Sequence, residues 1–222
     1  MTGEPIARRS FFCSWSGGKD SCLALHRAIR AGGRPEALLT ILAEDGARSR
    51  SHALPRSLIE KQARSLGLCA VFRSASWDDY EAAFSAALRE MKKDGIAVGV
   101  FGDIDVESHR EWGVRMCCAA GMTAVHPLWG EDRRALLETF VDLGFDARIV
   151  AVDGRRLERS FLGKTIGAET IAELEAAGVD PSGELGEYHT VVADGPIFSS
   201  EVSVDAIGEE RHDGYWFLNL AA

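Results

Sequence analysis

The sequence predicts an α/β fold: a parallel sheet with helices on both faces, followed by a smaller C-terminal α+β lobe. Three observations lead there. Short apolar runs alternate with segments of helical period along most of the chain. The first such run ends in a glycine-rich turn that opens a helix. After about residue 150 the alternation gives way to a different rhythm.

The elements follow in order. Phe11-Phe12-Cys13-Ser14-Trp15 is a short apolar, aromatic run and reads as a buried strand. Cys22, Leu25 and Ile29 recur at helical spacing, and Gly32-Gly33 ends that helix. A strand over 37–42 precedes a polar stretch, 44–52, and Pro55 opens a helix that runs to Leu66-Gly67. The pattern predicts strands over 69–72, 96–101, 123–125 and 147–152, and helices over 77–93, 108–120 and 132–143. Strand–helix–strand alternation implies parallel crossovers, and sites in such sheets lie beyond the carboxyl ends of the strands. The loops 16–21, 43–54, 102–107 and 126–131 are therefore expected on one rim. In the lobe, a helix is expected over 168–177, then apolar stretches at 191–192, 197–198 and 215–220. The expected division is 1–130 for the first domain and 131–222 for the lobe.

Composition narrows the function classes. Hydrophobic residues make up 46% of the 222 and charged residues 27%, the balance of a soluble globular protein. No apolar run approaches the roughly 18 residues of a membrane span. The start, Met1-Thr2-Gly3-Glu4-Pro5, lacks a signal-peptide pattern, so a cytoplasmic location is expected. The net charge of −9 argues against broad, nonspecific nucleic-acid binding. The five cysteines (13, 22, 69, 117 and 118) contain no C-x-x-C pair, and Cys117-Cys118 reads as small residues packed in a helix.

The chemistry resides in Ser16-Gly17-Gly18-Lys19-Asp20-Ser21. Glycines let backbone approach a phosphate, and N–H groups at a helix start attract anions. Ser16, Ser21 and Lys19 add charge-assisted contacts. The spacing is not that of a Walker A loop. Asp20 fits either as a carboxylate on Mg²⁺ between it and the phosphates or as a helix cap.

This string resembles the PP-loop of the ATP pyrophosphatases, whose loop grips the β- and γ-phosphates while a substrate attacks the α-phosphate. The resemblance implies an adenine nucleotide alpha hydrolase-like (HUP, Rossmann-like) sheet. Further along, Gly183-Glu184-Leu185-Gly186-Glu187-Tyr188-His189-Thr190 with Asp194-Gly195-Pro196-Ile197-Phe198 resembles the G-E-G-G-E-[FY]-x-T…D-x-P-x-F segment of the diphthine–ammonia ligase family. Pro127-Leu128-Trp129, Leu143-Gly144-Phe145 and Phe161-Leu162-Gly163-Lys164 resemble other segments of that family, so the resemblance runs from about residue 11 to the end. Leu185 departs from it, standing where the family has Gly.

The resemblance implies amide synthesis: a carboxylate is adenylated, pyrophosphate leaves, and ammonia displaces AMP. In the family's reaction the carboxylate belongs to diphthine, a modified histidine of the translation elongation factor. It implies Lys19, Asp20 and Glu187 as catalytic residues, and Asp20 on Mg²⁺. Around ATP it implies Ser14, Ser16, Gly17, Gly18, Lys19, Asp20 and Ser21, and the position just past a strand end adds Gly102 and Asp103, where the match to the family is loose and a polar turn is the other reading. Around the acceptor it implies Lys164, Glu184, Glu187, Tyr188 and His189. His52 and Arg48 read equally as nucleotide contacts or solvated surface, His26 as a packed or surface residue, and Trp129 as packing. Two other readings stay open. A tRNA-thiolating enzyme on the same loop would want paired cysteines and a basic surface, and a nucleotide-binding sensor would lack turnover.

Overall fold

The computed structural model describes residues 6–50 and 52–221, which form two compact units. The first comprises residues 6–16, 20–50 and 67–131, and the second 17–19, 52–66 and 132–221.

The first unit is a five-stranded sheet. Its strands are β1 (Ser10–Ser14), β2 (Arg34–Leu42), β3 (Cys69–Ser74), β4 (Val98–Val100) and β5 (Thr123–Val125), in the order β3-β2-β1-β4-β5. Every pairing is parallel, so the carboxyl ends share one edge, as the alternation predicts. The order reverses between β1 and β4, the switch point at which such sheets bind ligands. Helices α1 (Lys19–Arg30), α3 (Tyr80–Lys93) and α4 (Glu107–Ala119) make the crossovers of this half. Phe12 anchors the core: it meets Phe84 and Phe101 edge-on at 6.2 and 6.1 Å, among Leu39, Leu88, Met91 and Cys117. Burying side chains of this size contributes roughly 1.5–3 kcal/mol each. Cys117 is buried as expected, but its neighbour Cys118 is exposed, because successive helical residues point about 100° apart.

The second unit holds α2 (Arg56–Leu66), α5 (Arg133–Asp142), α6 (Ala168–Ala176) and a 3-10 turn at Arg159–Phe161. Its sheet comprises β6 (Asp146–Asp153), β7 (Tyr188–Asp194), β8 (Ala206–His212) and β9 (Tyr215–Leu220), in the order β7-β6-β9-β8. All three pairings are antiparallel.

Two expectations need correction. The strand over 147–152, read as continuing the parallel alternation, is β6 of the antiparallel sheet. The helix expected from Trp77 starts at Tyr80, and the apolar stretch Ile197-Phe198 lies outside the strands. β8 gave no signal because all seven of its residues are exposed, so no apolar alternation marks it.

Candidate functional site

The turn after β1 is held from the first unit by short polar links. Trp15 N–H donates to Leu39 O (2.8 Å), and Thr40 Oγ1 donates to Trp15 O (2.7 Å). Ser16 Oγ and Ser21 Oγ stand 3.1 Å apart and span the turn. Ser14 ends β1 half-buried, and Asp20 lies in the first turn of α1, where a carboxylate is favoured. Gly102, at the end of β4, sits against this turn. A Cβ there would lie 2.9 Å from Asp20 C and Ser21 N and 3.0 Å from Asp20 O.

Asp103 follows. Its Oδ1 is 3.6 Å from His109 Nδ1 and its Oδ2 3.5 Å from His126 Nε2. Burial lifts its carboxyl above the usual range; His109 opposes that lift and the charge of Asp20 adds to it. Asp20 and Asp103 therefore feel each other's charge. Among the described residues no group of three or more His, Cys, Asp or Glu gathers as a metal cage. Mg²⁺ needs none, since it is commonly held by one or two carboxylates together with substrate phosphates. The carboxylate pair fits that requirement.

The second-unit part of the turn is Gly17–Lys19. α1 starts at Lys19, three residues before the apolar pattern signalled it. The Lys19 N–H, expected to face a phosphate, donates instead to Thr190 Oγ1 (3.0 Å). The Lys19 side chain is buried, with Nζ 5.7 Å from the ring centroid of Tyr188. Gly17 O accepts from Val192 N–H (2.9 Å) and from Gln62 Nε2 (3.0 Å), which also donates to Val192 O (2.7 Å). A side chain has no room in this turn. A Cβ on Gly17 would meet Leu54 Cδ1 at 2.6 Å, and one on Gly18 would meet His52 Cε1 at 2.6 Å.

Gln62 was not singled out in the sequence, although it sits among Leu58, Ile59 and Ala63 on the buried face of α2. A lone amide on an apolar helix face is the signal that would have found it. Gln62→Leu should lower stability by about 1–3 kcal/mol, because it strips a donor from two buried carbonyls. Urea unfolding checks this, and an unchanged midpoint would contradict it.

His52 walls the same turn. Its Nδ1 lies 2.9 Å from Thr190 O, and its ring stacks on His189 at 4.6 Å between centroids. Burial lowers its pKa to about 4, the bond to Thr190 opposes this, and the charge of Lys19 lowers it further. In the first unit, burial with help from Arg110 lowers His126 to about 4 as well. Between pH 6.5 and 4 the unfolded chain takes up protons at both positions that the folded chain refuses. Stability is therefore fully present above pH 6.5 and falls as the pH drops through that window, with Asp103 acting in the opposite sense. Each histidine contributes on the order of 2–3 kcal/mol to the change. Urea midpoints at pH 7 and pH 4.5 should show the fall, and His52→Asn should roughly halve it, leaving the share of His126; a flat profile in the parent protein would contradict the assignment.

The residues expected around the acceptor all fall in the second unit. Glu187 is buried, with Oε1 accepting from Arg156 Nη1 (2.9 Å) and Oε2 from the Leu185 N–H (3.0 Å). Arg156 also donates to Leu185 O (3.0 Å), so the pair clamps the 183–187 turn. The Tyr188 hydroxyl donates to Pro181 O (2.6 Å), and Tyr215 donates to Gly186 O (2.9 Å). Glu184 is half-buried in that turn, and its N–H donates to Ser182 Oγ (3.4 Å). His189 lies between His52 and Tyr215. Lys164 pairs with Glu173.

Residues 10–124 match the family model of the diphthamide synthase N-terminal domain, and residues 132–221 match that of the diphthamide synthase C-terminal domain. The diphthine–ammonia ligase of Rattus norvegicus is 26% identical, over 93% of this chain and 86% of its own length. That of Danio rerio is 27% identical, over 86% and 84%. A solved structure described as a predicted subunit of tRNA methyltransferase from Methanocaldococcus jannaschii aligns over 82% of this chain and 96% of its own, at 17% identity and a TM-score of 0.44.

Proposed function

Because the chain belongs to the diphthamide synthase family, we propose that it is an ATP-dependent amide ligase whose acceptor is the diphthine carboxylate of the elongation factor. The observation that carries this reading is the Ser16–Ser21 turn that follows β1, with Lys19 buried in it.

A carboxylate is a poor acylating agent because its leaving group would be oxide. Attack on the α-phosphorus of ATP converts it to an acyl-adenylate and expels pyrophosphate. Ammonia then adds to the acyl carbon and AMP departs. Negative charge grows on the leaving diphosphate, and the Lys19 ammonium is the group placed to receive it. A cation held in advance by packing stabilises that charge without reorganising at the moment of reaction. Asp20, with Asp103 as a second carboxylate, would hold Mg²⁺, which would offset phosphate charge.

Glu187 takes a positional part in this scheme: with both oxygens engaged, it fixes the turn that carries Glu184 rather than moving a proton. The Ser16–Ser21 turn serves ATP, and Lys164, Glu184, Tyr188 and His189 of the C-terminal lobe serve the acceptor; by contacts, 17–19 and 52–66 cluster with that lobe. The cytoplasm is the location this reaction requires, and no described helix is long and apolar enough to cross a membrane. Burial pushes the thiols of Cys13, Cys22 and Cys117 well up, so they stay protonated, which favours amidation over sulfur transfer.

The test is incubation with ATP, Mg²⁺, ammonium and diphthine-bearing elongation factor. AMP and amidated factor should form in equal amounts and only with all components present. Amidation of a different carboxylate alone would remove diphthine and leave the ligase. AMP formation indifferent to any acceptor would remove both.

A further inference from the structure

The carboxyl edge of the parallel sheet carries a second cluster that the ATP chemistry leaves unused. Beyond β2 the chain folds back so that Arg50 N–H donates to Ile41 O (3.1 Å), tying Arg50 to the strand end. Beyond β3 stands Trp77, 66% exposed, an unusual exposure for so large an apolar surface. The Arg50 guanidinium lies 4.7 Å from the Trp77 ring centroid. Trp77 stacks on Tyr80 (5.7 Å, 26°), which packs in turn on Trp112 (5.8 Å) and Phe84 (6.4 Å). The indole is thus mounted on a rigid aromatic column rooted in the core.

Among the described residues no acid pairs with Arg50. Its Nε is buried and meets no hydrogen-bond acceptor, and its guanidinium joins no ion pair among the described residues. Arginine cannot shed its charge, so a partly desolvated guanidinium without an anion is costly. Its donors lie in its own plane. With Cζ held over the indole, a guanidinium can meet a planar carboxylate with two parallel bonds. Tyr80 lies within the field of both Arg50 and Asp103, which places the cluster beside the Asp103 end of the rim.

We propose that Arg50, Trp77 and Tyr80 form the acceptor subsite, with Arg50 binding a carboxylate of the acceptor and Trp77 covering its body. The assignment rests on the ligase reading for the word acceptor; the carboxylate site itself does not. Phosphates are the other anions a guanidinium binds in this way, and the test separates the two sources.

Titrate the full chain with glutarate, with inorganic phosphate and with ATP·Mg²⁺, following tryptophan fluorescence, and use Trp77→Phe to identify the responding indole. Glutarate should saturate and change the Trp77 signal. Arg50→Gln should weaken glutarate at least about tenfold, as loss of a bidentate partner implies, while ATP·Mg²⁺ affinity stays unchanged. In the ligase assay the same variant should raise the KM for the acceptor and not that for ATP. Thermal unfolding confirms that the variant folds, and Arg50→Lys should recover part of the affinity.

Glutarate that fails to saturate, or that binds Arg50→Gln as well as the parent protein, would overturn the proposal. So would loss of ATP affinity in Arg50→Gln, which would make this a nucleotide contact. Arg50-dependent glutarate binding in a protein that forms no AMP would instead remove the ligase reading and leave the carboxylate subsite standing.

Discussion

Lys19→Ala should cut AMP formation by on the order of 10² or more, with a much smaller change in the affinity for ATP. The reason is where the charge develops. In bound ATP the triphosphate charge is shared with the cation and solvent, whereas in the transition state it concentrates on the departing diphosphate. Lys19 is 6% exposed, so its ammonium acts in a medium where an ionic contact is far stronger than in water. The substitution also leaves a gap beside Tyr188, so stability must be measured alongside. A fall in kcat with a native-like unfolding temperature supports the role. Unchanged kcat removes it, and a rise in KM alone would make Lys19 a binding residue.

Gly102→Ala should be nearly as damaging, for a steric reason. The new methyl would lie 2.9–3.0 Å from three backbone atoms of Asp20 and Ser21, none of which can rotate away. Either β4 or the start of α1 must shift. Overpacking of this kind costs about 1–3 kcal/mol. The shift also displaces the turn proposed to hold the phosphates, and a misplacement near 1 Å can cost about 10² in rate. Both a lower unfolding temperature and a loss of kcat/KM are expected. Gly208→Ala in β8, where the nearest neighbour is Asn219 Nδ2 at 4.0 Å, is the matched control and should change neither. A fully active Gly102→Ala protein would show that the approach of the two loops does not matter to the chemistry.

The parallel sheet and the turn were legible because their physics is local. Phe11 to Trp15 announces a buried strand, and the glycines after it announce a tight turn; Leu54 and His52 lie 2.6 Å from where Cβ atoms on Gly17 and Gly18 would be, neighbours the glycines did not foretell. The antiparallel sheet was less legible. β6 looks like any other apolar run, and only its pairing partners, 36 to 66 residues onward, decide its direction. β8 carries no apolar face at all. The loop motif gave Lys19 and Asp20, but not the residues that hold the turn from far along the chain. Gln62, His52 and Thr190 act through backbone carbonyls and a backbone N–H, bonds that leave little trace in sequence spacing. Glu184, Glu187 and Tyr188 stood out as a motif, yet the same pattern serves to close a turn through Arg156 and Pro181.

The position of phosphate cleavage tests the account most directly. Phosphorus NMR of a reaction containing ATP, Mg²⁺, ammonium and diphthine-bearing factor resolves the products without coupling enzymes. The account predicts AMP and pyrophosphate in equal amounts, with no ADP. ADP and orthophosphate as the products would contradict it.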